Sequence, residues 1–261
     1  MFDDIKGKRA IVTGACGVIG RWIVETLHNA GAILALTDAR GDDLDKLSSE
    51  LKLSGESFVK TADLTSEASI KAFTDEVGKR WGAADILVNN AGIYPSGFLL
   101  DISTEEFDRI FSVNLRAPFI LTREIATQMV KKKVKGSIIN ISSGASRKMR
   151  RTVVPYCTSK TALDRLTKGF GVELAEFGIR VNALEPGFAA GSKVSDLTDA
   201  HIQSTISQIP LGRPSSREDV GNGLLYLASD ASAYVTGATL TIDGGNSIGS
   251  LAVHQDKKNP L

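Results

Sequence analysis

Short apolar runs alternate with amphipathic stretches along most of this chain. "RAIVTG", "AILALTD", "SFVKTAD", "ADILVNNAG", "GSIINISS", "IRVNALEPG" and "TLTIDGG" are each a few residues long and end in glycine or a small polar residue. Runs that are apolar on both faces predict strands covered on both sides. Between them the spacing turns helical. "RWIVETLHNAG" places Trp22, Ile23 and Leu27 on one side and stops at Gly31, and "DDLDKLSSELK" is an acid-led helix. "SEASIKAFTDEVGKRWG" aligns Ile70, Phe73 and Val77, and a long helical region covers about 104 to 132. From Tyr156 to Phe177, Leu163, Leu166, Phe170, Leu174 and Phe177 step by three or four before Gly178. Strands alternating with helices predict an α/β fold of one domain: a doubly wound, seven-stranded, mostly parallel sheet with helices on both faces. Periodicity is lost near the end, so residues 1–246 are expected to form the domain. Residues 247–261 are then a tail or an arm on a neighbouring subunit.

Composition narrows the function classes. With 261 residues the chain can bury a full core, and its formal net charge of +1 gives no reason to expect nucleic acid or an acidic membrane surface as partner. No run is apolar and long enough to span a bilayer, and "MFDDIKGKR" lacks the apolar core of a secretory signal. Cys16 and Cys157 form no CxxC pair, and His28, His201 and His254 are scattered. A cytoplasmic protein with reduced thiols and no metal site is the expectation. "KKKVK" at 131–135 reads as the solvated end of a helix, where cations suit the dipole.

Two motifs suggest chemistry. "TGACGVIG" joins the first strand to the first helix, so Gly14, Gly17 and Gly20 let backbone approach a pyrophosphate at the helix N-terminus. Asp38 ends the second strand, 18 residues after Gly20, where a carboxylate accepts bonds from the adenosine ribose and repels a 2′-phosphate. Arg40 either neutralises Asp38 or reaches a 2′-phosphate, so NAD is expected and NADP stays open. The other motif is "PYCTSK". It sets the Tyr156 phenol and the Lys160 ammonium one helical turn apart on a shared face, either as a surface pair or as an acid–base unit.

Taken with "DLT" at 63–65, "NNAG" at 89–92, "VN" ending at Asn114, "NISS" at 140–143 and "RVNALEPG", these motifs resemble the classical short-chain dehydrogenase/reductase family, from Lys8 to about Gly245. The resemblance implies a Rossmann-type fold and hydride transfer between a nicotinamide cofactor and a secondary alcohol or ketone. It implies catalytic roles for Ser143, Tyr156, Lys160 and Asn114. It implies cofactor contacts from Gly14, Cys16, Gly17, Ile19, Gly20, Asp38, Asp63, Leu64, Asn90, Ala91, Gly92, Tyr156, Lys160, Pro186 and Gly187, with Asn89 and its neighbours lining the cleft.

Lys160 and an oxidised nicotinamide are expected to pull the Tyr156 phenol down toward neutrality, which suits it to acid–base work. Ser143 would donate to the substrate oxygen. Tyr94, Phe98 and Phe188 follow their motifs on loops where an apolar substrate pocket, or ordinary packing, is expected. "RKMRR" at 147–151 either attracts an anionic substrate, lies in solvent, or packs on a neighbouring subunit. The long helix from about 104 and the Tyr156 helix would, by the resemblance, form a tetramer interface.

Two positions depart from the family pattern. The glycine turn reads Gly-x-x-Gly-x-x-Gly, and Gly191 stands where a threonine is usual, with Ser192 as a substitute. Cys16, in the phosphate turn, is expected to confer sensitivity to thiol oxidants, whereas Cys157 is read as packing. The alternatives are an NADPH-linked 3-oxoacyl thioester reductase and a dinucleotide-binding regulator without catalysis.

Overall fold

A computed structural model describes residues 2–53, 55–190, 198–249 and 251. Seven strands among them, β1 (Arg9–Thr13), β2 (Ile33–Thr37), β3 (Phe58–Val59), β4 (Ile86–Asn89), β5 (Ser137–Ile141), β6 (Arg180–Pro186) and β7 (Thr239–Ile242), form one sheet in the order β3-β2-β1-β4-β5-β6-β7. Every neighbouring pair is parallel. Among the described residues eight α-helices accompany it: α1 (Val18–Asn29), α2 (Gly41–Glu50), α3 (Glu67–Trp81), α4 (Thr104–Phe111), α5 (Ala117–Lys132), α6 (Val154–Leu174), α7 (Asp199–Ile206) and α8 (Arg217–Ala228).

The two faces carry separate cores. On one, Ile23, Val24 and Leu27 of α1, Leu44 and Leu47 of α2, and Val220, Leu224 and Leu227 of α8 pack on Val12, Leu34, Leu36 and Val88. On the other, Ile70, Phe73 and Val77 of α3 and Ile120, Leu121 and Ile125 of α5 pack on Ile11, Ala35, Leu87 and Ile138. Alternate residues of each strand therefore serve opposite faces, as a pleat requires, and this is why the strand sequences read as unbroken apolar runs. The strand order reverses between β1 and β4. In a doubly wound sheet such a reversal is where a ligand crevice forms, beyond the carboxyl ends of the strands.

Three elements differ from the sequence expectation. The third strand shrinks to Phe58–Val59, because Lys60 and Ala62 hold β2 only through single backbone bonds, to Leu36 and Asp38. The stripe on α6 is only partly its buried face. Cys157, Lys160, Leu163, Thr167 and Gly171 are buried, while Leu166, Phe170 and Leu174 are half-buried along its flank and Phe177 is exposed. The long helix from 104 is split, with a π-helical turn, Ser112–Arg116, joining α4 to α5. Gly191, Ser192 and most of the 247–261 tail lie outside the described residues.

Candidate active site

The phosphate turn is built for close approach. Gly14 has φ +61°, and a Cβ on it would lie 2.7 Å from Ala91 Cα. A Cβ on Gly20 would lie 2.1 Å from the Gly14 carbonyl oxygen, so the first turn of α1 seats directly on the loop. A Cβ on Gly17 would meet only that same oxygen, at 3.6 Å, which leaves this glycine facing open space. Behind the loop, the Thr13 hydroxyl oxygen accepts from the Asn90 and Ala91 amides, both at 3.0 Å. Asn90 Nδ2 donates to the Thr13 and Gly14 carbonyls, both at 2.9 Å. Asn90 is thus a brace across β1 and β4. Asn89, expected to line the cleft, instead turns inward and donates to Thr122 Oγ1 and Asn140 Oδ1. Cys16 and Ile19 are half-buried around the turn.

Asp38 sits at the end of β2, only 8% exposed. Its Oδ2 accepts from the Cys16 amide at 3.0 Å, and its Oδ1 accepts from the Arg40 amide and Nε, both at 3.1 Å. Arg40 also pairs with Asp43 at 3.2 Å. Burial, then the Asp38 charge, pushes the Cys16 thiol up to about 12. A raised thiol holds less thiolate, the reactive form, which runs against the expected oxidant sensitivity. Asp63 is exposed and accepts from the Thr65 amide and hydroxyl, which hold its carboxyl below the usual range, while Leu64 is buried. These residues fit a dinucleotide: a glycine cradle at a helix N-terminus, with a nearly buried carboxylate one strand away.

Toward the middle of the crevice, Asn114 lies in the π-helical turn and is fully buried. Its Oδ1 accepts from the Ile93 amide at 2.8 Å, and its Nδ2 donates to the Ile93 carbonyl at 2.8 Å and to Ser159 Oγ at 3.1 Å. The extra residue of a π-turn re-aims one side chain without ending the helix, and here it ties the chain after β4 to α6. A Cβ on Gly92 would fall 3.5 Å from Lys160 Nζ and 3.4 Å from Asn114 Oδ1, so the three residues meet.

Lys160 is 4% exposed and donates to the Ile141 carbonyl at 2.7 Å. Burial brings its ammonium down to about 8, with Asp164 opposing. Its Nζ lies 5.8 Å from the centre of the Tyr156 ring. Tyr156 is half-buried beside Tyr94, with ring centres 5.7 Å apart. The expected lowering of the phenol is not what this site does by itself. Burial raises it, and the neighbouring Ser143 hydroxyl only partly offsets that. Lys160 gives its proton bond to a backbone carbonyl and not to the phenol.

Pro186, Gly187 and Phe188 are half-buried on the turn after β6, where the Gly187 amide donates to the Ile242 carbonyl at 2.8 Å. Tyr94 and Phe98 are exposed on the loop after β4, and the Arg151 guanidinium lies over the Phe98 ring at 5.0 Å. Arg147 turns inward to Glu185, so "RKMRR" does not present four free cations. Sequence reading passed over Thr13 and Glu185. Thr13 opens a motif that was read for its glycines, whereas Glu185 was legible as the one acid inside "RVNALEP".

Among the described residues no cluster of His, Cys, Asp or Glu suits a metal, and no helix is long and apolar enough to cross a membrane. A family model described as enoyl-(acyl carrier protein) reductase matches residues 14–247. This chain belongs to the short-chain dehydrogenase/reductase family. It is similar to the 3alpha-hydroxysteroid dehydrogenase of Mediterraneibacter gnavus, 38% identical over 94% of this chain and 98% of that one. The 3-oxoacyl-(acyl-carrier-protein) reductase of Thermotoga maritima is 35% identical over 92% of this chain and 98% of its own length. A crystal structure of gluconate 5-dehydrogenase from Burkholderia cenocepacia, in complex with NADP and tartrate, superposes with TM-score 0.87 at 30% identity, covering 95% and 99% of the two chains. This short-chain dehydrogenase/reductase is an NAD(P)-dependent oxidoreductase.

Proposed function

We propose that this enzyme interconverts a secondary alcohol and its ketone, with Tyr156 as the acid–base residue. The observation that supports this best is the nearly buried Lys160 with its Nζ 5.8 Å from the centre of the Tyr156 ring, and Ser143 beside the phenol, at the carboxyl edge of the sheet. Tyr156 gives its proton to a substrate oxygen in reduction and takes one in oxidation. Ser143 donates to the same oxygen, where negative charge develops. Lys160 holds the nicotinamide ribose and supplies positive charge near the phenol. Asn114 fixes the Ile93 backbone and leads the proton path on from Lys160. When bound, the nicotinamide supplies the two-electron acceptor or donor for the substrate carbon. Gly14, Gly17 and Gly20 hold the pyrophosphate, Asp38 the adenosine ribose, and Asp63–Leu64 the adenine side. Ala91, Gly92, Pro186 and Gly187 border the nicotinamide half, and Tyr94 and Phe188 line the substrate side.

NAD is the inferred cofactor, because the nearly buried Asp38 carboxylate opposes a 2′-phosphate. An NADPH-linked 3-oxoacyl thioester reductase is the second reading. It is favoured by Arg40, half-exposed and placed to pair with a 2′-phosphate once it leaves Asp38, and by the Thermotoga maritima relative. A homotetramer in the cytoplasm completes the proposal. The exposed Phe107, Phe119 and Val172 of α4, α5 and α6 supply apolar surface for it, and the two free cysteines suit a reducing compartment. Residues 1–246 act as one unit, with the tail from 247 meeting a neighbouring subunit.

Tyr156→Phe is the test. Dinucleotide binding should stay near wild type, while kcat on any accepted alcohol falls by about 10²–10⁴-fold. Near-normal turnover in that variant would remove Tyr156 from the mechanism.

A further inference from the structure

Glu185 lies inside β6, just before Pro186, and is completely buried. A carboxylate in that position must be paired and fully bonded to be tolerated. Its Oε1 accepts from the Ser146 hydroxyl at 2.7 Å, and its Oε2 accepts from Arg147 Nη2 at 2.5 Å and from the Thr241 hydroxyl at 2.7 Å. The same Arg147 nitrogen reaches Thr241 Oγ1 at 2.9 Å and Ser247 Oγ at 2.7 Å. One buried acid therefore gathers the turn after β5, the ends of β6 and β7, and the chain beyond β7.

That turn carries Ser143. Its hydroxyl accepts from the Ala145 amide at 3.2 Å, and its carbonyl accepts from the Ser146 amide at 2.8 Å. The far end of the turn is held by Ser146 and Arg147 on Glu185, and by the Thr161 hydroxyl of α6 donating to the Ser146 carbonyl at 2.7 Å. On the other side, Asp243 accepts from the Gly245 and Ser247 amides at 2.9 and 2.8 Å. A Cβ on Gly144 would lie 2.9 Å from Ser247 Cβ, so the two segments touch. Asp164 of α6 is the further acid whose charge is felt together with those of Glu185 and Lys160.

We propose that Glu185 is a positioning residue. Through Ser146 and Arg147 it locks the Ser143 turn to the segment 243–247, and so holds the Ser143 hydroxyl against Tyr156. Arg147 is then part of this lock and does not attract substrate. The effect on rate rests on the catalytic reading of Ser143, whereas the fastening of the two segments does not.

The test uses the full chain with Glu185→Gln, Arg147→Met and Arg147→Lys. Hydrogen exchange in peptides covering 143–149 and 243–249 should quicken by about tenfold in Arg147→Met while the rest of the sheet keeps its protection. In the same variant kcat should fall by about 10–100-fold, with dinucleotide affinity changed by less than about twofold. Arg147→Lys, which keeps the charge, should recover part of both losses, and Glu185→Gln, which keeps an acceptor for Ser146, should lose less than Arg147→Met. Unchanged exchange in the two segments overturns the lock. Faster local exchange with unchanged kcat overturns the positioning role, as does a uniform loss of protection at constant kcat. If the wild-type chain turns over no alcohol or ketone, the catalytic reading fails, and the exchange result alone upholds or overturns the lock.

Discussion

Asp38→Ala reports directly on how the adenosine half is read. In the free protein this carboxylate takes one bond from the Cys16 amide and three from Arg40, at 3.0–3.5 Å. Arg40 is half-exposed, so losing its pair with Asp38 costs at most about 1 kcal/mol of stability. For a chain this long the ion pair alone accounts for a fall of roughly 2–4 °C in Tm, and the Cys16 and Arg40 amides that lose their acceptor add to it. Binding should change more. A hydrogen bond to a charged acceptor contributes about 1.5–3 kcal/mol. Removing the ribose acceptor should therefore weaken NADH by roughly 10–150-fold, at 1.4 kcal/mol per factor of ten. NADPH should lose far less, or gain, because the repelling charge is gone and the freed Arg40 pairs with the 2′-phosphate. Fluorescence titration with NADH and NADPH, on wild type and variant at one salt concentration, gives both dissociation constants. If the ratio of the two stays the same within about twofold, Asp38 does not select the cofactor.

Three further expectations follow from the site. Lys160, brought down to about 8, carries its proton below that pH and loses it above, so dinucleotide affinity should fall between pH 7 and 9.5; a flat profile would deny the ribose contact. The same lowered value means the folded chain binds fewer protons between about 8 and 10.5, so this group favours folding as pH rises there, and weaker binding is not caused by its unfolding the protein. Asn114→Ala strips partners from the Ile93 amide and carbonyl, at about 1–3 kcal/mol each, and Tm should drop by roughly 5–15 °C; a calorimetric shift of less than about 2 °C would deny the brace. Cys16, with its thiol pushed up to about 12, should resist iodoacetamide at pH 7.5 while the urea-unfolded chain is labelled; rapid labelling of Cys16 in the native protein, located by peptide mass, refutes this.

The sheet was legible because each strand must be apolar on both faces, and few other folds ask for that. The phosphate turn was legible for a similar reason: Gly14 and Gly20 sit where a Cβ would strike backbone. Charge states were not. The spacing of Tyr156 and Lys160 suggested a phenol lowered by its neighbour. What decides the free site is how deeply the ring is desolvated and where Nζ sends its bond, and neither is written in a five-residue interval. Nor does spacing show that Asn89 and Asn90, adjacent in sequence, face opposite ways, one toward α5 and one toward the glycine loop. The alternation of a strand predicts the divergence, but only the packing says which residue goes where.

The widened turn at Ser112–Arg116 makes residue count a constraint in its own right. Each residue of an α-helix advances the chain by about 100°. Cutting one residue from that turn, so as to straighten the rod, would swivel α4 by roughly that angle against α5. Asn114 would lose its aim at Ile93, and Phe107 would face a different neighbour. An indel in these five positions would therefore reach the centre of the site through the helix and not through a loop.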